Sequence, residues 1–151
     1  MRGTTQVGGT HYGNSYDLCD LAADTLLPSH QRDLMKYYWR HSRKNGLKDV
    51  EKAVSYLDSI VYNQAHSGRF EVPVQPTPWA SLEAIHGSKV EEYLDERLRH
   101  FLDCNDIRGK EAGIMTIMFR SGFVDVGDEL LNAVRHELQL TIEKYKEAEN
   151  G

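Results

Sequence analysis

The stretch QRDLMKYYWRHSRKNGLKDVEKAVSYLDSIV, from Gln31 to Val61, decides the fold of the N-terminal half. Its Asn45-Gly46 pair is a strong signal for a turn or a helix end. A helix of about residues 30–44 precedes the pair, and a second of about 47–66 follows it. The second helix carries an apolar stripe at helical spacing, made of Val50, Val54, Leu57 and Val61. The stretch therefore predicts an αα-hairpin over about residues 30–65.

The rest of the chain also favours helices. Apolar spacing predicts them at about residues 15–26, 88–103, 110–120 and 128–147, with a short helical turn at 79–85. Ser29 is predicted to be the N-cap of the hairpin's first helix, and Ser88 to Glu91 (SKVE) has the pattern of a capping box. A Pro-rich extended connector is predicted at residues 70–78. We expect one mainly α, small helical domain over residues 1–151, with a nucleotide-binding part at 1–66 and further helices of unknown role at 79–151.

Composition bounds the class of protein. The chain has 151 residues, a formal net charge of −5 and 40% hydrophobic residues, as expected for a soluble globular domain. An acidic chain is not expected to coat duplex DNA or to bind it sequence-specifically. The two cysteines, Cys19 and Cys104, form no Cys-x-x-Cys pair, and no apolar run reaches the length of a membrane helix. We therefore expect a cytoplasmic protein without membrane association.

The quoted stretch is a basic island in this acidic chain. It holds seven of the 18 Lys and Arg residues, namely Arg32, Lys36, Arg40, Arg43, Lys44, Lys48 and Lys52. In a helix, Lys36, Arg40 and Lys44 recur on one side at i, i+4 and i+8, with Arg43 beside them. Lys52 and Tyr56 on the following helix can approach the same cleft. Several converging cations suit a phosphate, so the pattern predicts a site for a phosphorylated small molecule.

The same pattern is compatible with an ordinary solvated helix face. The aromatic residues among the charges, Tyr37, Tyr38 and Trp39, favour a binding site, although a Trp that faces the core would also explain them. His11 and Tyr12 lie among small residues in GGTHYGN and predict either a loop over a ligand, with His11 as proton donor or phosphate contact, or an ordered arm. No P-loop and no His-Glu-x-x-His motif occurs.

The island resembles the SaV-like family of small phage proteins. The residues that carry the resemblance are His11 and Tyr12; Lys36, Tyr37, Arg40 and Lys44; and Asp49, Lys52, Ala53, Tyr56 and Leu57. It covers about residues 8–65. Arg32-Asp33 and His41-Ser42 stand where the family has Gly-Asn and Ala-Gly.

The resemblance implies a phage-encoded nucleotide-binding protein in the host cell cytoplasm, and specifically a (deoxy)nucleoside monophosphate kinase without a P-loop that uses ATP and Mg²⁺. Phosphates are then expected at Lys36, Arg40, Arg43, Lys44 and Lys52, and Tyr37 or Tyr56 is expected to stack on a base or position a phosphate. Arg40, Lys36 and His11 are the expected catalytic residues, with Tyr12 closing the site. Asp49 or Asp33 is expected to hold Mg²⁺.

Other functions remain open at this point. The same cleft suits a phage effector that sequesters a nucleotide or nucleotide-like signal without turnover, or that binds a host protein. A helical nucleoside-triphosphate pyrophosphohydrolase would need more helix-borne carboxylates than VEEYLDER supplies. The apolar stripes of the C-terminal half also suit a helical adaptor, and we expect a homo-oligomer.

Overall fold

The structure is a computed structural model that describes residues 15–66 and 78–150, and the regular structure in these ranges is helical throughout. The α-helices are α1 (Leu18–Thr25), α2 (Ser29–Arg40), α3 (Leu47–His66), α4 (Pro78–His86), α5 (Val90–Cys104), α6 (Gly109–Arg120) and α7 (Asp128–Asn150). A 3-10 turn, Gly87–Lys89, joins α4 to α5. The prediction of a mainly α, small helical domain is confirmed. Residues 67–77, which include most of the predicted Pro-rich connector, lie outside the described residues.

Two predicted helix starts differ from the structure. Ser29 is the first residue of α2, and Pro28 occupies the N-cap position without a side-chain cap. Ser88 lies in the 3-10 turn, and Lys89 precedes α5, also without a side-chain cap, so the predicted capping box is wrong. The backbone of Gly87 is left-handed (φ +62°), and the chain enters the tighter turn before α5 begins.

Helix α1 is short but has defined ends. The Asp17 side chain accepts a hydrogen bond from the Asp20 N–H, and the Asp20 side chain accepts one from the Asp17 N–H, which makes a capping box. At the other end Leu26 is left-handed (φ 58°), and Pro28 follows. This reversal turns the chain from α1 directly into α2.

Helices α2 and α3 pack closely against each other across the connection at residues 41–46. Leu34, Met35 and Tyr38 of α2 are buried, as are Val50, Ala53, Leu57 and Ile60 of α3. Gly46 (φ +53°) begins the turn into α3, and a Cβ at this position would lie 3.3 Å from the Tyr145 ring. The left-handed backbone of Gly46 and the nearby Tyr145 ring therefore both restrict which residue this connection can hold at position 46.

One core unites the described helices. Helix α3 packs on α7, α2 on α6, and α1 on α5, and the buried apolar residues form one cluster that includes Phe101, Met115, Phe119 and Leu138. Helix α1 contacts α5 more extensively than it contacts α2. This arrangement leaves room between α1 and the charged side of α2. No described helix is both long and apolar enough to cross a membrane.

Candidate functional site

A cavity of about 770 Å³ lies between α1 and α2. Its lining residues are Asp17, Leu18, Cys19, Ala22, Ala23 and Leu27 from the α1 side and Arg32, Asp33, Lys36, Trp39, Arg40 and Arg43 from α2 and the turn that follows it. The α1 wall is largely apolar and the α2 wall is largely cationic. A cavity of this size falls in the range of about 300–1,000 Å³ that small-molecule sites occupy.

The cationic wall follows from the helical repeat of α2. Arg32, Lys36 and Arg40 recur at every fourth residue of α2, which places them along one side of the helix, and Arg43 follows in the turn at residues 41–46. Leu34, Met35 and Tyr38 face the opposite way, into the core. The sequence of α2 thus brings three positive charges to the cavity wall, and Arg43 adds a fourth from the turn after the helix.

The two carboxylates in the lining offset part of this charge. Asp17 caps α1, and its Oδ1 accepts a hydrogen bond of 2.9 Å from the Asp20 N–H. Asp33 Oδ1 lies 3.5 Å from Arg32 Nε. Because the Asp17 carboxylate already occupies the N-terminus of α1, an anionic ligand is expected to bind closer to α2.

Arg40 joins the cavity to the interior of the α2–α3 pair. Its Nε donates a hydrogen bond of 3.2 Å to Asp49 Oδ1, and the Asn45 N–H donates one of 3.2 Å to Asp49 Oδ2. The Asp49 side chain is fully buried, whereas 25% of the Arg40 side chain is exposed. Within the part of the chain that the structure describes, the two terminal nitrogens of Arg40 have no hydrogen-bond partner. The guanidinium is therefore held from behind, with its terminal N–H groups still able to donate.

An aromatic cluster lies beside the cavity, between α2 and α3. The Tyr37 and Tyr56 rings stack with centroids 5.8 Å apart and an interplanar angle of 9°. Three cationic groups lie near the Tyr37 centroid, with Lys36 Nζ at 5.0 Å, Arg40 Cζ at 4.6 Å and Lys52 Nζ at 5.1 Å. We call these five residues the Tyr37 cluster. Its members Lys36 and Arg40 also line the cavity, so the two places are contiguous.

Asp33, which lines the cavity, also acts on the hydroxyl of Tyr56. The negative charge of Asp33 raises the pKa of Tyr56, with a smaller contribution from burial. Tyr56 is therefore a neutral phenol at physiological pH.

Trp39 has a fixed position in the cavity wall. Its ring makes an edge contact with Phe101 at a centroid distance of 5.4 Å, and the Arg43 guanidinium lies over it at 4.5 Å. Trp39 therefore packs on the core and also lines the cavity.

The structure distributes the predicted site residues over several places. Lys36, Arg40, Arg43 and Asp33 line the cavity, and Tyr37, Lys52 and Tyr56 belong to the neighbouring cluster. Lys44 is exposed and lines neither. Asp49 lies behind Arg40. His11 and Tyr12 are outside the described residues.

Sequence reasoning missed the α1 wall completely. Nothing in Leu18, Ala22 or Leu27 marks them as ligand contacts, because the same residues fit an ordinary core stripe. A separate observation concerns metals. Residues 15–66 and 78–150 contain no group of three or more His, Cys, Asp or Glu side chains that could hold a metal ion.

Comparison of the chain with protein-family models, with curated proteins and with solved structures finds no match. The cavity and the Tyr37 cluster are therefore the features that bear on function.

Proposed function

We propose that the protein binds a mononucleotide in the cavity between α1 and α2. The observation that carries the proposal is the asymmetry of the walls, with four cations on the α2 side facing a largely apolar surface on the α1 side. A nucleotide has the same asymmetry, because its phosphate is anionic and its base is flat and largely apolar on its faces. The cavity is large enough for such a ligand.

The phosphate end of the ligand fits the α2 wall. A hydrogen bond to a charged group contributes about 1.5–3 kcal/mol, so two or three such contacts exceed the roughly 4 kcal/mol that millimolar affinity requires. Arg40 is the best prepared of the four cations, because Asp49 and the Tyr37 ring already restrict its guanidinium. Pre-organisation of this kind reduces the ordering cost on binding.

The base fits the α1 wall better than it fits the tyrosines. Tyr56 covers part of Tyr37, and cations crowd the same ring. Leu18, Ala22 and Leu27 instead line the cavity itself with apolar side chains, Leu18 and Leu27 from the edge of the core. We therefore place the base against α1 and the phosphate against α2.

A kinase is the second form of this proposal. The residues that resemble the SaV-like family include Lys36 and Arg40, and phosphoryl transfer depends chiefly on positioning and on neutralising charge. Turnover would need ATP as phosphate donor and Mg²⁺ to neutralise the transferred group. Asp33 is the carboxylate that fits a Mg²⁺–phosphate complex, since it lines the cavity, whereas both oxygens of Asp49 are engaged in the interior.

The test is calorimetric titration with each of the four deoxynucleoside monophosphates and with the matching nucleosides. We expect the monophosphates to bind and the nucleosides to bind at least about tenfold more weakly, because the phosphate contacts are lost. Lys36→Gln and Arg43→Gln should each weaken monophosphate binding several-fold. Lys48→Gln is the matched control, since Lys48 is an exposed cation on α3 outside the cavity lining.

Arg40→Ala is a poor first variant because it would also strip the buried Asp49 carboxylate of its partner. In a parallel assay, each monophosphate is incubated with the protein, ATP and Mg²⁺, and the formation of the diphosphate is measured. Product that depends on Lys36 supports the kinase, and binding without product supports a sequestering protein. Equal affinity for nucleotides and nucleosides would refute the proposed site.

A further inference from the structure

The Tyr37 cluster extends the positive charge of the cavity in one direction. Lys36 and Arg40 line the cavity and also lie within 5.0 Å of the Tyr37 centroid. Lys52, from α3, lies 5.1 Å from the same point but does not line the cavity. A continuous row of cations therefore runs from the cavity, across Tyr37, to α3.

Carboxylates neutralise the positive charge of this row only in part. In the described parts of the chain, neither Lys36 nor Lys52 has a carboxylate within ion-pair distance, and Arg40 uses only its Nε on Asp49. The attraction of three cations to a tyrosine ring is weaker than an ion pair with a desolvated carboxylate. Three positive charges around one ring repel each other, and an anion among them would relieve that repulsion.

The position of the rings decides which part of a ligand fits here. Tyr56 stacks on Tyr37 nearly parallel to it, and His30 lies beside Tyr56 with a centroid distance of 6.1 Å. These contacts leave little aromatic surface on which a base could stack, whereas the three cations favour a phosphate. A nucleoside monophosphate has one phosphate, which the cavity cations suffice to hold, so a second anion subsite implies a longer phosphate chain.

We infer that the ligand is a nucleotide with more than one phosphate, and that Lys52, with Lys36 and Arg40, binds its outer phosphates in a second anion subsite over Tyr37. This inference rests on the proposed function, because it assumes that the first phosphate lies against α2. Lys36 and Arg40 serve both subsites, whereas Lys52 serves the outer one alone.

The experiment compares each deoxynucleoside monophosphate with its triphosphate by calorimetry in the presence of EDTA, which keeps the phosphates free of divalent cations. The wild-type protein is expected to bind the triphosphate more tightly. Lys52→Gln should weaken triphosphate binding about tenfold and leave monophosphate binding within about twofold of wild type. Lys36→Gln should weaken both.

Lys48→Gln is the matched control, because it removes the same charge one helical turn earlier on α3. It should change neither affinity by more than about twofold at 0.15 M salt, where distant exposed charges are largely screened. Inorganic tripolyphosphate is a second probe, and it should compete with the triphosphate in wild type and about tenfold less effectively in Lys52→Gln.

The outcomes separate the two proposals. If Lys36→Gln weakens monophosphate binding but Lys52→Gln affects both nucleotides equally or neither, the second subsite is wrong and the proposed function stands. If no nucleotide binds in a Lys36-dependent way, both are wrong. Lys52 is exposed, so its variant is expected to fold, and an unchanged unfolding midpoint confirms this.

Discussion

The cations that join the C-terminal helices are held differently from Lys36 and Arg43 in the cavity wall. Arg120 of α6 bridges to Glu91 and Asp95 of α5 at 3.3 and 3.2 Å. Similar pairs join Lys110 to Glu137 and Arg135 to Asp58. In the cavity wall, by contrast, Lys36 lies over Tyr37 and Arg43 over Trp39, and neither has a carboxylate partner among the residues described.

The difference teaches where to look for a ligand in a charged helical protein. Both regions have the same appearance in the sequence, namely Lys and Arg at helical spacing. Exposed ion pairs between helices contribute little and need no further explanation. Cations that converge on a cavity and meet aromatic rings instead of carboxylates leave room for an external anion. The predictions below test this distinction, beginning with the one α2 cation that does have a buried partner.

The largest effect is expected for Asp49→Ala. It removes the buried carboxylate that Arg40 and the Asn45 N–H share, and we expect the free energy of unfolding to fall by about 3 kcal/mol. Denaturant unfolding at pH 7 measures the change. Asp58→Asn is the control, because it breaks the Arg135 pair, whose carboxylate side chain is 57% exposed, and it should cost no more than about 1 kcal/mol. Equal losses in the two variants would contradict a special role for Asp49.

A smaller loss is expected for Arg120→Glu. The substitution replaces two ion pairs with repulsion from Glu91 and Asp95, and we expect a loss of about 1 kcal/mol that shrinks in 1 M salt. Lys144→Glu, an exposed site on α7, makes the same change in net charge and should stay within about 0.5 kcal/mol of wild type. If the loss of stability in Arg120→Glu does not depend on salt, it arises from altered packing and not from charge.

The pH dependence of stability tests the contact that joins α2 to the C-terminal half. His41 Nδ1 lies 2.7 Å from the Tyr145 hydroxyl, and burial lowers the pKa of His41 despite the opposing charges of Glu111, Asp49 and Glu137. The folded protein therefore binds a proton here less readily than the unfolded chain. The stability that His41 contributes is present above about pH 6.5 and is lost as the pH falls below that value.

Unfolding measured at pH 7.5 and pH 5.5 in wild type and His41→Gln isolates this contribution from the other histidines. Wild type should lose more stability on acidification than the variant loses. The same loss in both proteins would show that other groups account for it.

The smallest effect on stability is expected for Lys36→Gln. Because Lys36 has no carboxylate partner in the described chain and lies near Arg40, its removal should change the unfolding free energy by no more than about 0.5 kcal/mol. The same variant should weaken nucleotide binding, so stability and affinity respond separately. A loss above 1 kcal/mol in the absence of ligand would mean that Lys36 is structural.

The helices could be predicted from the sequence, but not all of their faces. The stripe of α3 is correct at Val50 and Leu57, since both are fully buried. In α7, Leu130 and Leu131 are adjacent apolar residues, and the sequence alone does not show which of them faces the core. Adjacent residues of a helix point about 100° apart, and the structure buries Leu131 while 45% of Leu130 is exposed.

Half of the candidate site was predictable, because the cations of α2 depend only on local spacing. The opposite wall depends on how α1 docks. The Tyr93 hydroxyl donates a hydrogen bond to Asp24 O, and the Asn105 side chain donates one to Tyr16 O. These contacts span 69 and 89 residues, and no local pattern encodes them. Helical spacing also predicted Lys44 as a site residue, but the chain leaves the helix after Arg40, and of the two basic residues in the turn Arg43 lines the cavity and Lys44 does not.

The link from Arg40 through Asp49 to the Asn45 amide gives the protein a built-in spectroscopic reporter. A ligand that engages Arg40 would also steady the Asp49 carboxylate, and with it the turn at residues 41–46. Exchange of the Asn45 amide proton with solvent deuterium should therefore slow when the cavity is occupied, although Asn45 does not line the cavity. Occupancy could then be followed at a single backbone position, without labelling the ligand and without knowing its identity.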